Sequence, residues 1–161
     1  MMPLIPAAIA VTMLISFIVS MSSPAENSHN RVIAANLLLQ HEMAVKAVLQ
    51  ESIQSGDLSG RISGPFTDMG DWRTEVLPGS DQIYIVTWSG PDRPISDRTV
   101  IEAFAQITIA DLNRIPNSAS GFRKDVDGGE KIGRITLDGI NIPVGQDEPV
   151  LVTVLSERGA G

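Results

Sequence analysis

Hydrophobic positions follow two regimes along this chain. From Leu4 to Met21 they run almost unbroken as LIPAAIAVTMLISFIVSM, with Thr12, Ser16 and Ser20 the only polar side chains. Eighteen helical residues span about 27 Å, enough to cross a bilayer core. Leu4, Ile5, Ile9, Val11, Leu14, Ile15, Phe17, Ile18 and Val19 supply the apolar surface of this predicted membrane anchor. Pro6 falls in the first turn, where a missing backbone N–H does little harm. A cleaved leader is the competing reading, with Ser20-Met21-Ser22 as a small-residue cleavage site. No Lys or Arg precedes Arg31, so the positive n-region of a signal peptide is missing. The length of the apolar run favours a retained anchor, and either reading exports the rest of the chain.

Beyond residue 23 the pattern becomes periodic. Residues 28–53, SHNRVIAANLLLQHEMAVKAVLQESI, contain neither Gly nor Pro and place apolar side chains near a 3.6-residue repeat. They predict a long helix, capped by Ser28 or Asn30, with Gly56 as its stop. Seven Gly and Pro residues punctuate 54–81, leaving room for short strands around 60–63 and 73–77. QIYIVTW, 82–88, is the clearest strand: β-branched, aromatic, and closed by Ser89-Gly90-Pro91. Ser96 or Asp97 caps a second helix over 98–113, with Val100, Phe104 and Ile107 on one face. Runs at 132–137 and 140–143 flank Asp138-Gly139 and predict a hairpin. VLVTVL, 150–155, is apolar on both faces and predicts a central strand. The fold class is therefore α+β: an N-terminal transmembrane segment and a long helix packed on an antiparallel sheet, with a second helix. Residues 1–23 form the anchor or leader, and 24–161 one exported domain.

Composition sharpens this division. All charged residues lie from Glu26 onward, and the net charge is −7 with a pI near 4.7. Such a body is not a basic nucleic-acid binder. With no cysteine in the chain, disulfides and cysteine-ligated metal centres are excluded.

Candidate chemistry is thin. His29 and His41, the two histidines, lack metal-site spacing, and His41 reads as a partly buried or surface side chain of the first helix. No serine sits in G-x-S-x-G. Asp125-Val126-Asp127-Gly128-Gly129-Glu130 begins like a calcium loop but has Gly129 and Thr136 where ligands are needed. A solvated acidic turn between strands fits it better. No catalytic residue, metal or cofactor is expected. Trp72, in a loop, and Trp88, ending a strand, are candidate partner-binding residues if exposed and core residues otherwise. Phe104 and Phe122 read as core.

An anchor, a helix and an antiparallel sheet invite comparison with type IV pilins. The run 4–21 lacks their processing Gly and their acidic residue, so the chain does not read as a pilin. In size and layout it resembles the PilM family of type IVb (thin) pilus systems, carried by conjugative plasmids and genomic islands. The likeness lies in the apolar segment, the helix LLLQHEMAVKAVLQ, the strand QIYIVTW and the Gly-punctuated GRITLDGINIPVG. It implies an inner-membrane protein with a periplasmic domain. Such a protein acts as an accessory assembly or scaffold component through contacts with other pilus-assembly proteins, with no catalytic residues. Two alternatives stay open: an exported cell-envelope hydrolase, and a soluble periplasmic binding module released by leader cleavage.

Overall fold

A computed structural model describes residues 24–62, 69–126 and 129–156. The predicted anchor lies outside them. The chain builds α1 (Pro24–Glu51), β1 (Gly56–Asp57), β2 (Trp72–Pro78), β3 (Gln82–Ser89), α2 (Asp97–Ala105), α3 (Ile109–Leu112), β4 (Ser118–Val126), β5 (Gly129–Ile132), β6 (Ile135–Asp138) and β7 (Pro149–Ser156). These strands pair in the order β1-β2-β3-β7-β4-β5-β6, every pair antiparallel. The fold is the α+β arrangement expected.

VLVTVL forms β7, the middle strand, paired with β3 from Gln82↔Ser156 to Trp88↔Val150 and with β4 from Ser118↔Thr153 to Phe122↔Pro149. A strand paired on both sides and covered on both faces must be apolar on both, as its sequence is. One face of the sheet receives the helices. Ala44, Val45 and Val48 of α1 pack on Val76, Ile83 and Ile85. Ile33 and Leu37 meet Trp72, Leu151 and the α2 residues Val100, Ala103 and Phe104. The opposite face, with Tyr84, Val86, Val150 and Val152, is covered by Ile132, Leu137, Ile142 and Val144. Those four residues come from β5, β6 and the segment after them, folded back over the sheet.

This fold-back needs two backbones to meet closely. A Cβ on Gly121 would lie 2.8 Å from the Gly133 backbone nitrogen, and one on Gly133 would lie 2.9 Å from the Ser120 carbonyl oxygen. Only a glycine pair lets β4 bend over the β5–β6 turn at that distance. Gly133 also has φ +55°, in the left-handed region. The fold-back is fastened at its rim by Arg123, which donates to Glu130 Oε1 at 2.7 Å and to the Val144 carbonyl. Glu130 Oε2 in turn accepts from the Ile142 amide at 3.3 Å.

Several expectations are corrected. The hairpin turn is Gly133-Arg134, because Gly133 takes the left-handed conformation between β5 and β6. Residues 132–137 are thus two strand ends joined by a turn, while 140–143 is irregular chain whose Ile142 still plugs the core. The second helix breaks at 106–108, where Thr108 and Asp111 form a capping box that starts α3 afresh. The Gly60 region is a turn, with the short strand at Gly56–Asp57. α1 begins earlier, at Pro24, which suits the first helical turn, and ends before Ser52 at φ +54°. Phe122 is exposed rather than core, on the strand β4 that local sequence preference does not announce. The expected solvated acidic turn is corrected in part: Asp125 and Val126 belong to β4 and pair with Glu130 and Gly129 of β5, and Glu130 is buried, while 127–128 lie outside the described residues.

Gly121→Ala should therefore lower stability by about 1–3 kcal/mol, the usual cost of overpacking. Urea unfolding of the two proteins side by side measures it; an unchanged midpoint would show that β4 and the turn can part without cost.

Candidate functional site

A polar constellation lies in the interior. α1 presents His41 to the middle of the sheet, where its two ring nitrogens reach hydroxyls on separate strands. Nδ1 lies 2.8 Å from Thr87 Oγ1 on β3, and Nε2 lies 2.7 Å from Thr153 Oγ1 on β7. Thr87 Oγ1 continues to Thr74 Oγ1 on β2 at 2.9 Å, and Thr153 Oγ1 to Ser118 Oγ on β4 at 2.5 Å. One imidazole thus ties the long helix to a row of hydroxyls crossing four adjacent strands. The strand register explains the row: Thr74 pairs with Thr87, Thr87 lies beside β7, and Thr153 pairs with Ser118.

All five side chains are fully enclosed, each with 0% exposure. Burial lowers the His41 pKa from 6.5 to about 3, so the ring is neutral at ordinary pH, one nitrogen donating and the other accepting. A nucleophile or relay must reach its substrate, and these groups reach only one another. The constellation is a cross-link in the core. His41 is accordingly buried, not the surface or half-buried side chain its helix position suggests.

The second constellation lies at the surface, where β3 ends. Two adjoining hollows, about 570 and 130 Å³, lie between the chain after β3 and the segment before β7. Trp88, Pro91, Arg93, Pro143 and Glu148 line the larger, and Ile101 and Asp147 join the smaller. Arg93 is already committed: its guanidinium donates to the Gly90 carbonyl at 2.9 Å and pairs with Asp97. Beside it, Asp71 accepts from the Asp92 amide at 3.1 Å and pairs with Arg73, whose pKa it raises. A Cβ on Gly90 would lie 2.8 Å from Arg73 Nε and overlap the Asp71 carboxylate, so a larger residue there would displace that carboxylate from its partners. The result is an ordered, mostly polar hollow with one aromatic wall.

The two tryptophans part company. Trp72 is 2% exposed, inside the helix-covered core, where its indole Nε1 donates to Asn36 Oδ1 at 2.7 Å and its ring meets Phe104 edge-on at 6.3 Å. It starts a strand rather than sitting in a loop, and it has no surface to offer a partner. Trp88 is half-buried on the other face and lines the hollow, so it retains a surface for contact. The residues Leu4, Ile5, Ile9, Val11, Leu14, Ile15, Phe17, Ile18 and Val19 lie outside the described residues. Within α1, Asn27–Glu51 is by length and composition long and apolar enough to cross a membrane, with half of its most apolar stretch buried in the fold. Among the described residues no three His, Asp or Glu side chains gather as a metal site. No protein-family model, curated protein or solved structure matches this chain.

The neutral buried ring sets a pH dependence. In the unfolded chain His41 takes up its proton near pH 6.5, whereas in the fold it resists down to about 3. Between those values the unfolded state binds more protons. The stabilisation is therefore complete above pH 6.5 and is lost as pH falls, by up to about 1.4 kcal/mol per unit. His41→Leu removes this component. From about pH 7 to about 4.5 the native protein should lose about 2–3 kcal/mol more than the variant in urea unfolding. Equal losses would place the ring's titration elsewhere.

Proposed function

We propose that this protein is a membrane-tethered scaffold of the bacterial envelope. In this reading it is an accessory assembly component of a type IVb pilus, of the kind the PilM family supplies, acting by contacts with other assembly proteins. The observation that supports this best is the way α1 joins the body. The helix begins at Pro24, just after the apolar run 4–21 ends, and continues through 28 residues into the heart of the sheet. His41, on the buried side of the helix, binds it to β3 and β7. With α1 beginning at Pro24 and locked to the sheet, only residues 22–23 separate the apolar run from the folded body, whereas a long flexible linker would let the body wander. Fixed placement is what a scaffold supplies and what a diffusing hydrolase or binding module does not need.

In this reading the segment 4–21 sits in the inner membrane and the acidic domain faces the periplasm. Trp88, half-buried and lining the hollow beside β7, supports a partner contact there.

Deleting the gene tests the reading. Pili and transfer in liquid mating should be lost while prepilin processing stays normal; unchanged piliation and mating would refute it. A periplasm-dependent reporter fused after residue 30 should be active, and an inactive fusion would refute the orientation.

A further inference from the structure

The hollow at the end of β3 is rich in hydrogen-bond acceptors and poor in donors. Pro91, Pro143 and Pro149 line it and have no backbone N–H to offer. Donors at its wall are spent inside the fold. Ser89 Oγ donates to the Gly70 carbonyl at 2.6 Å, the Gly145 amide to Glu148 Oε2 at 3.3 Å, and Arg93 to the Gly90 carbonyl at 2.9 Å. Acceptors are left over. Glu148 Oε1 and the Asp147 carboxylate have no partner among the described residues. Their backbone is fixed by Arg123, whose amide donates to the Glu148 carbonyl and whose carbonyl accepts from the Asp147 amide, both at 2.9 Å.

Charge points the same way. Arg93 lies against Asp97, and the two cancel. Arg73, beside the hollow, is held by Asp71 and Asp92. Glu148 lines both parts of the hollow and Asp147 the smaller, so a ligand there meets two carboxylates that no cation of the described residues compensates. The larger part adds the Trp88 ring, and an indole face attracts a cation held over it. A guanidinium meets all three conditions: it is positive, it stacks on an aromatic plane, and it carries a fork of N–H donors that fits a carboxylate. An ammonium has the charge without the plane or the fork. A neutral sugar can cover the ring, but its hydroxyls ask for donors as well as acceptors and leave the carboxylates uncompensated.

The hollow also lies at the tether end of the body. Ser89, at its wall, pairs with Trp72, which packs on Ile33 and Leu37 early in α1, whereas Ile83 at the other end of β3 packs on Ala44, Val45 and Val48. A partner anchored in the same membrane can therefore reach it with the stretch just outside the bilayer. We infer, resting on the partner contact proposed above, that this hollow receives an arginine side chain of a partner protein, its guanidinium on the Trp88 ring and its N–H groups on Glu148, with Asp147 adding charge.

The two tryptophans make the site readable by NMR of the full-length chain in detergent micelles, because Trp72 is buried in the helix-covered core. The probe is a capped Gly-Arg-Gly peptide, compared with the same peptide carrying lysine, or citrulline as the neutral isostere of arginine. The arginine peptide should shift the Trp88 indole N–H signal saturably and leave that of Trp72 in place. Citrulline should weaken binding about tenfold and lysine by a smaller factor, as charge-assisted, forked pairing requires. Glu148→Gln should weaken it about tenfold as well. Asp147→Asn should have a smaller effect, and asparagine tolerates the φ of +61° found there. Thermal melting verifies that both variants are folded. No Trp88 shift with the arginine peptide, equal binding of the citrulline or lysine peptide, or undiminished binding by folded Glu148→Gln would overturn the inference. A Trp88 shift given by chitotriose but not by the arginine peptide would assign the hollow to a glycan and overturn it too. Loss of pili on gene deletion without arginine binding would strike this inference alone, and arginine binding with unchanged piliation would strike the pilus reading alone.

Discussion

The arrangement of this protein depends on a neutral imidazole held in a fully enclosed interior. His41 is the point where a helix with polar residues on its buried side is made compatible with an apolar sheet. A buried polar group without a partner costs several kcal/mol, so a histidine on that face is tolerable only if both nitrogens are satisfied. Both are, by Thr87 and Thr153, and each threonine is supported in turn by Thr74 or Ser118. The network fixes more than energy. Apolar side chains would let α1 slide along the sheet at small cost, whereas two hydrogen bonds of 2.7–2.8 Å from one ring to neighbouring strands specify a single position.

That position decides the rest of the helix-covered layer. With His41 seated between β3 and β7, Ala44, Val45 and Val48 come over Val76, Ile83 and Ile85, and Asn36 comes within reach of the Trp72 indole. Asn30 then reaches Glu102 of α2 at 2.9 Å, joining the two helices. On the other face the sheet is covered without helices, by a strand pair and an irregular segment. β5 pairs with both β4 and β6, and Arg123, Glu130 and the close Gly121–Gly133 crossing gather at the rim of this cover.

The sequence discloses the elements whose local preference and tertiary role agree. QIYIVTW and VLVTVL are β-branched, and they occupy the middle of the sheet. Ser96 caps α2 as its chemistry suggests. β4 stays hidden because SASGFRKDV carries little strand preference; its pairing with β7 and β5 imposes the extended form. The expected hairpin falls on the wrong turn because two glycines, Gly133 and Gly139, both adopt positive φ, and Asp138-Gly139 is the stronger turn signal of the two. The polar core is legible only in fragments. Thr87 and Thr153 stand out as the single threonines of β3 and β7, but nothing along the chain shows that strands so far apart in sequence set them on the two sides of one ring. Trp72 reads along the chain as either a core or a partner-binding residue, and its N–H donating to Asn36 of α1 inside the helix-covered layer decides for the core.

The hydroxyl row has a consequence for how protons are arranged inside the fold. A neutral imidazole carries one proton, so whichever nitrogen lacks it accepts a hydrogen bond from the hydroxyl of its threonine. That threonine has no second proton to give, and the hydroxyl beyond it is obliged to point inward: Ser118 in one tautomer, Thr74 in the other. The choice of tautomer on a helix and the rotation of a hydroxyl on a strand are therefore one variable. The interior carries a two-position electrical polarity whose reversal requires groups on both sides of the ring to turn together.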